Sequence, residues 1–219
     1  MISIKICGLT NVVDALWALE QGAEYLGFVL YRKSPRCVTA GQLKAICDAL
    51  PATSKCVGVF VNESAEFVQK VWEECRLSAI QVHGDEDASC FLRVTIPVWR
   101  AVRLQEGEWT PSPTGWPAER YVIDAASPEY GGTGVTADWD AAASFSARHR
   151  SMLAGGLHPG NVAEAIRRVN PIGVDVSSGV ESLPGKKDLG KIMAFIQAVR
   201  DGDKGCLSLR REDTKGNVI

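Results

Sequence analysis

Six reactive side chains in this sequence of 219 residues stand at or near the ends of short apolar runs. They are Cys7, His83, Arg103, Asp124, Asp175 and Ser177. Cys7 is either a catalytic thiol or an inert small hydrophobic residue, as most buried cysteines are. Asp124 closes an apolar run, where an unpaired carboxylate is costly, so it is a functional group, a helix cap or a structural ion-pair partner. Whether these groups act together depends on the fold.

Two glycine-bearing segments and one arginine could bind anions. Gly155 and Gly156 follow one apolar run, and Ser177 and Ser178 follow the next, just before another glycine. Glycines let backbone N–H groups approach a phosphate closely, and the start of a short helix points its positive end at the ligand. The alternative is that the glycines only form tight turns. Arg36, in a basic loop, could hold a carboxylate through two parallel hydrogen bonds or could simply be solvated.

Eight short strands, most of them followed by a helix, are predicted to position these residues. The predicted strands are Ile2–Cys7, Tyr25–Leu30, Cys56–Val61, Ala79–His83, Val98–Leu104, Tyr121–Asp124, Ser151–Ala154 and Gly173–Val176. The predicted helices are Asn11–Gln21, Thr39–Leu50, Ser64–Cys75, the short Asp87–Arg93, Asp138–Ser146, Pro159–Val169 and Asp188–Arg200. Strands that are apolar on both faces and alternate with helices indicate a parallel sheet covered on its outside.

One crossover breaks this pattern. The segment between Gln105 and Glu119 contains Pro111, Pro113 and Pro117, which forbid a regular helix, so the fifth crossover helix is expected to be replaced by a loop. Eight strand–helix units predict an α/β fold with a single (β/α)8 TIM barrel over residues 1–200, and a flexible C-terminal tail over residues 201–219. An open doubly wound sheet is disfavoured, because no dinucleotide-binding glycine motif follows the first strand. In such a barrel the strand ends meet at one mouth, and the loops after strands 7 and 8 are the usual phosphate site.

Composition excludes several classes of partner. The 24 basic and 26 acidic residues leave a net charge of −2, which gives no footprint for nucleic-acid binding or polybasic membrane attachment. No window approaches the ~20 apolar residues of a membrane span. Seven cysteines without a CxxC pair, and three histidines without a local cluster, indicate a reducing cytoplasm and no metal site.

Several motifs in collinear order resemble the phosphoribosylanthranilate isomerase family of tryptophan biosynthesis over about residues 2–200. The matching stretches are Lys5-Ile6-Cys7-Gly8-Leu9-Thr10-Asn11, Gly27-Phe28-Val29, Lys33-Ser34-Pro35-Arg36, Gly58-Val59-Phe60-Val61-Asn62, Gln81-Val82-His83-Gly84, Tyr130-Gly131-Gly132-Thr133-Gly134, Ala154-Gly155-Gly156-Leu157, Asp175-Val176-Ser177-Ser178-Gly179-Val180-Glu181 and Pro184-Gly185-Lys186-Lys187-Asp188. Each motif is weak alone, but the ordered set is specific. The chain departs from the family pattern at Val135, where Lys or Arg is expected.

The resemblance implies a cofactor-free Amadori rearrangement of N-(5′-phosphoribosyl)anthranilate to 1-(2-carboxyphenylamino)-1-deoxyribulose 5-phosphate. In this scheme Asp124 is the general acid at the furanose ring oxygen, and Cys7 is the general base at the sugar C2′. Arg36 matches the residue that binds the anthranilate carboxylate. The phosphate site matches the loops with Gly155, Gly156, Ser177 and Ser178, with Asp175 at its edge, while His83 and Arg103 line the mouth. The implied partner is this small-molecule substrate, and the protein is expected to be a monomer or homodimer.

Two alternative functions remain open from the sequence. Another sugar-phosphate barrel enzyme, such as indole-glycerol-phosphate synthase, would use lysine and glutamate groups at its strand ends, whereas strands 1 and 6 here end in Cys7 and Asp124. A catalytically inactive barrel would bind phosphorylated ligands or a protein partner only. Such a binder needs anion-holding groups alone, so Cys7, Asp124 and Arg36 together disfavour it.

Overall fold

Eight parallel strands form a closed barrel in the computed structural model of the chain. The structure describes residues 1–125 and 136–213, with side chains over 1–125 and 136–204. Strands β1 to β8 are Ser3–Ile6, Tyr25–Val29, Lys55–Phe60, Ala79–Val82, Val98–Gln105, Ala118–Asp124, Ser151–Leu153 and Gly173–Val176. Each strand pairs with the next one, and β8 returns to pair with β1. The predicted TIM barrel is therefore confirmed.

Helices α1 to α6 are connected to these strands, and several begin at capping side chains. They are Val12–Gln21, Ala40–Ala49, Ala65–Cys75, Trp139–Ser146, Val162–Val169 and Leu189–Asp213. Asn11 accepts the backbone N–H of Asp14 at 2.9 Å and so caps α1. Ser64 caps α3 in the same way. Each cap satisfies an N–H group that the first helical turn leaves without a partner.

The fifth crossover contains no helix, as the prolines predict. It carries instead a short strand, Glu108–Thr110, which pairs antiparallel with the end of β5 and was not predicted. Aromatic contacts cover the barrel here: the ring centroid of Trp109 lies 4.6 Å from that of Phe145. Trp116 lies 5.7 Å from Phe91 by the same measure. Aromatic area thus replaces the missing helix as the outer layer.

Two helix predictions differ from the structure. The expected helix Asp87–Arg93 is only the 3-10 turn Ala88–Phe91, because the segment is too short to bury a helical face. The last helix does not end at Arg200 but continues to Asp213. Its Gly202 lies against Ala163 of α5. Residues 214–219 lie outside the described part of the chain, and the flexible tail over residues 201–219 stays a prediction.

Beyond β8 the chain forms a small structure that the sequence did not predict. A 3-10 turn, Ser178–Val180, leads into an antiparallel hairpin of Glu181–Leu183 with Lys186–Lys187. These strands are too short to show any alternation in the sequence. The hairpin places Glu181 and Lys187 next to the strand ends, where both are buried.

Apolar side chains form two cores. The larger cluster lies between the strands and the helices, and the smaller one, which includes Tyr25, Val57, Trp99 and Met152, fills the barrel interior. Residues on one strand alternate between these two cores, which is why the strands read as apolar on both faces. Within the described residues, no helix is both long and apolar enough to cross a membrane.

Candidate active site

The C-terminal ends of the barrel strands surround one cleft of about 790 Å³, counting its open mouth. Nine of the ten predicted site residues line it: Cys7, Arg36, His83, Asp124, Gly155, Gly156, Asp175, Ser177 and Ser178. Arg103 lies instead in a smaller adjoining pocket that also contacts His83 and Asp124. Residues far apart in sequence thus converge because all strands of the barrel run in the same direction.

Cys7 directly follows β1 and lies inside the cleft. Its backbone N–H donates to the carbonyl of Val176, at the end of β8, with a distance of 2.8 Å. Burial raises the pKa of the Cys7 thiol above its ordinary value of 9.0, which outweighs the opposing effect of the Lys5 ammonium. The free protein therefore holds Cys7 as a thiol at neutral pH.

Asp124 ends β6 and accepts two hydrogen bonds. Its Oδ1 accepts the backbone N–H of Ala125 at 2.8 Å, and its Oδ2 lies 3.2 Å from Nε2 of His83. Burial alone would raise the pKa of Asp124, but His83, assisted by the Ala125 N–H, holds it below the ordinary value of 3.8. Asp124 is therefore ionised at neutral pH in the free protein, and His83 is its partner in the cleft.

A buried polar chain leads from His83 across the barrel. Nε2 of Gln81 lies 3.0 Å from Nδ1 of His83, and Oε1 of Gln81 accepts from the Lys5 ammonium at 2.9 Å. Lys5 also donates to Asp175 at 2.7 Å. Because a lysine ammonium can only donate, Gln81 accepts through its oxygen, and its amide nitrogen then donates to Nδ1 of His83. Nε2 of His83 consequently carries the hydrogen that faces Asp124.

Sequence reasoning did not assign Lys5 or Gln81 to the site. Both lie inside predicted strands, and both are almost completely buried. The signal that could have found them is a charged or amide residue within an otherwise apolar strand, because such a group needs a buried partner.

Arg36 is buried rather than solvated. Its Nε and Nη2 donate to the two carboxylate oxygens of Glu181 at 2.8 and 2.7 Å. Lys187 contacts the same carboxylate at 2.8 Å and donates to the carbonyl of Ser177 at 3.1 Å. Burial opposes ionisation of Glu181, yet Arg36 and Lys187 hold its pKa below 4.5. Glu181, which sequence reasoning assigned no role, joins the Arg36 loop to the loop after β8.

The loop after β7 has the backbone shape that its glycines predict. Gly155 and Gly156 adopt φ of +73° and +63°. A Cβ at Gly155 would lie 2.5 Å from the backbone nitrogen of Ala125, so close packing also demands glycine. Oγ of Ser177 and Oδ1 of Asp175 are buried without a hydrogen-bond partner among the described residues. Such groups are ready to contact a bound ligand.

Some predicted features lie outside the described residues. These are the glycine motif Tyr130–Gly134 and Val135. Among the residues that the structure does describe, no three His, Cys, Asp or Glu side chains are arranged to hold a metal ion.

Comparison with known proteins identifies the family. The family model described as N-(5′-phosphoribosyl)anthranilate (PRA) isomerase matches residues 4–198. The chain belongs to this family. The N-(5′-phosphoribosyl)anthranilate isomerase of Trichlorobacter lovleyi is 44% identical over 203 residues, covering 92% of this chain and 99% of the relative.

Solved structures of PRA isomerases have the same barrel. That of Thermotoga maritima superposes with a TM-score of 0.81 at 38% identity, covering 92% of this chain and 100% of its own. A PRA isomerase solved in complex with reduced 1-(o-carboxyphenylamino)-1-deoxyribulose 5-phosphate gives a TM-score of 0.76 at 35% identity, with coverage of 92% and 100%. The family resemblance inferred from the motifs is therefore confirmed.

Proposed function

We propose that this member of the PRA isomerase family converts N-(5′-phosphoribosyl)anthranilate to 1-(2-carboxyphenylamino)-1-deoxyribulose 5-phosphate, in tryptophan biosynthesis. The observation that carries the proposal is the convergence of Cys7, Asp124 and Arg36 with the two glycine- and serine-bearing loops in one cleft. This set combines a base, an acid, a carboxylate-binding group and a phosphate-binding group. The substrate carries one carboxylate and one phosphate, which these last two groups fit.

Asp124 and Cys7 supply the two proton transfers. Asp124 donates a proton to the furanose ring oxygen, which opens the sugar and leaves a protonated Schiff base at C1′. The adjacent iminium acidifies the C2′ proton, and the Cys7 thiolate removes it to give an enolamine. Tautomerisation of the enolamine gives the ketone. The reaction thus requires no redox partner, because the oxidation at C2′ and the reduction at C1′ occur within one substrate molecule.

The protonation states of the free protein are the reverse of those the reaction uses. The pKa directions place the proton on Cys7 and the negative charge on Asp124. Catalysis needs the thiolate and the carboxylic acid. Both arrangements hold one proton over the two groups, so they differ in its position and not in total charge. In the free protein the reactive form is therefore the minor one of the pair.

The anion-binding groups hold the two ends of the substrate. Arg36, oriented by Glu181, has Nη1 outside the ion pair and lines the cleft, which suits a carboxylate. The loops with Gly155, Gly156, Ser177 and Ser178 lie at the usual phosphate position of this fold. Asp175 borders this region, and His83 acts through its hydrogen bond to Asp124.

The two alternatives are disfavoured by the family and by the cleft. The relatives matched here are PRA isomerases, and the groups at the ends of β1 and β6 are Cys7 and Asp124 rather than a lysine and a glutamate. A non-catalytic binder would not need a thiol and a carboxylate facing the same cleft.

A fluorescence assay tests the activity. Phosphoribosylanthranilate generated in solution is mixed with the purified protein, and the loss of substrate fluorescence is followed. We expect catalysed decay, with the Trichlorobacter lovleyi relative as a positive control. No acceleration over the protein-free rate, under conditions where the control is active, contradicts the proposal.

Location and assembly complete the proposal. The odd number of cysteines supports a reducing cytoplasm. A Thermotoga maritima relative is described as dimeric, and we propose a monomer or homodimer for this chain. Light scattering at several protein concentrations distinguishes the two.

A further inference from the structure

Lys5 is a buried cation that contacts two residues of the cleft lining, Asp175 and Gln81, and the proposed mechanism assigns it no role. Its side chain is completely shielded from solvent and contacts Asp175 at 2.7 Å and Gln81 at 2.9 Å. Placing a lysine inside a barrel carries a desolvation cost, which here is offset by its contacts with two polar side chains. An apolar residue of similar size would need neither partner, so the ammonium at this position points to a functional reason.

The sulfur of Cys7 is close to Lys5. A Cβ at Gly27 would lie 2.8 Å from Sγ of Cys7 and 2.9 Å from Cε of Lys5, so both atoms border the same gap in the barrel wall. Only a glycine leaves room for both side chains there. The positive charge of the nearby Lys5 ammonium lowers the pKa of the Cys7 thiol, against the larger effect of burial.

Lys5 keeps its proton in this environment. Burial opposes the charged form, yet Asp175 and Cys7 together raise the pKa of Lys5 above its ordinary value of 10.5. The charged groups that face Cys7 are Lys5, Asp175 and Lys187; the two lysines favour the thiolate and Asp175 opposes it. Of the two lysines, Lys5 has the larger effect on the sulfur.

We propose that Lys5 is a positioning residue whose buried ammonium serves as the counter-ion of the Cys7 thiolate. Asp175 and Gln81 hold the ammonium in place beside the sulfur. The inference rests on the proposed function, in which Cys7 is the base. Without Lys5 the thiolate would form in a buried cleft next to Asp175, and the minor reactive form of the enzyme would become rarer still.

The test is the pH dependence of alkylation at Cys7, which needs no substrate. Iodoacetamide reacts with the thiolate, and mass spectrometry of the Cys7 peptide separates this reaction from that of exposed Cys90. In Lys5→Met we expect the midpoint of the pH–rate profile of Cys7 alkylation to move to higher pH by about one unit or more. Loss of a nearby opposite charge produces a shift of this size. Turnover should also fall, while KM changes little.

Matched variants separate this role from a structural one. Lys55→Met removes an exposed lysine on β3 that does not face the cleft, and its Cys7 midpoint should equal that of the unmodified protein. If Lys5→Met does not fold, the double variant Lys5→Met/Asp175→Asn is compared with Asp175→Asn. The double variant removes both members of the ion pair and so leaves neither charge buried without its partner. Its alkylation midpoint should still lie at higher pH than that of Asp175→Asn.

An unchanged midpoint on removal of Lys5, in whichever of these backgrounds folds, overturns the proposal. Because alkylation is measured on the free protein, this outcome is independent of whether phosphoribosylanthranilate is turned over. Failure of the fluorescence assay would instead count against the proposed function and leave the alkylation result standing.

Discussion

Arg36 and Glu181 form a bidentate ion pair, with Nε–Oε1 and Nη2–Oε2 distances of 2.8 and 2.7 Å. The pair joins residues 145 positions apart in the chain and buries both side chains in the wall of the cleft. It fixes the plane of the guanidinium before any ligand arrives. A preorganised group loses less entropy on binding than a mobile one, so the pair favours substrate affinity.

Replacement of Arg36 should therefore affect binding more than chemistry. For Arg36→Met we expect KM to rise about 10- to 100-fold, corresponding to the ~1.5–3 kcal/mol of a charged hydrogen bond, with a smaller change in kcat. Steady-state kinetics in the fluorescence assay measure both constants. An unchanged KM would show that Arg36 does not hold the carboxylate.

Glu181→Gln should destabilise the fold in a pH-dependent way. The folded pKa of Glu181 lies below 4.5, so its carboxylate stabilises the protein above that pH, and the contribution is lost as the pH falls through the folded pKa. At pH 7 we expect a loss of about 3 kcal/mol in the free energy of unfolding, because Arg36 and Lys187 lose a buried partner. The unfolding free energies of the variant and the unmodified protein should converge as the pH falls below 4.5 and through the folded pKa of Glu181.

Urea denaturation at a series of pH values measures this effect. Glu24→Gln is the matched control, because Glu24 also has a lowered pKa and a lysine partner, Lys55, but both side chains are substantially exposed. The Glu24→Gln variant should lose less than about 1 kcal/mol in the free energy of unfolding. Equal losses in the two variants would mean that burial of Glu181 adds nothing to its ion pairs.

Asp124→Asn and Cys7→Ser should each lower kcat by about 10²- to 10⁴-fold, the usual contribution of a general acid or base. Asn keeps an oxygen for the Ala125 N–H, and Ser keeps the size of Cys, so KM and the melting temperature should change little. Cys90→Ser, at an exposed cysteine outside the cleft, should retain full turnover. Near-normal kcat in either site variant would remove that residue from its proposed role.

Gly155→Ala should cost far more stability than Gly107→Ala. Both glycines have positive φ, +73° and +85°, so each substitution carries backbone strain of about 1 kcal/mol. Only at Gly155 does the new methyl group also meet the backbone nitrogen of Ala125, next to Asp124. Thermal unfolding of the two variants, with kcat/KM for each, separates the clash from the strain. Equal effects would contradict a tight fit at this loop.

The sequence predicts the barrel and most of the cleft for a definite physical reason. In a parallel barrel, the residue that ends a strand reaches the mouth whichever strand it belongs to, so Cys7, His83 and Asp124 could be placed from their position alone. The helix-free fifth crossover followed from the chemistry of proline, as in Pro111 and Pro113.

The unpredicted features depend on contacts between distant parts of the chain. Lys5 meets Asp175 only because β1 and β8 pair in a register that aligns these two residues. The sequence left Arg36 open between a carboxylate-binding group and a solvated loop residue, because nothing nearby in sequence indicates its partner Glu181. Short strands such as Glu108–Thr110 carry too few residues to show a period.

Among the described residues, the strand Glu108–Thr110 also gives this closed barrel an edge that pairs with no further strand. A ring of eight strands has no unpaired backbone groups along its sides, whereas an added ninth strand presents its outer N–H and C=O groups to other chains. Here that edge is three residues long and is followed at once by Pro111, which has no N–H to donate. An edge this short, ended by a proline, is a poor template for a strand from another molecule. The crossover thus replaces its helix while exposing only a three-residue strand edge.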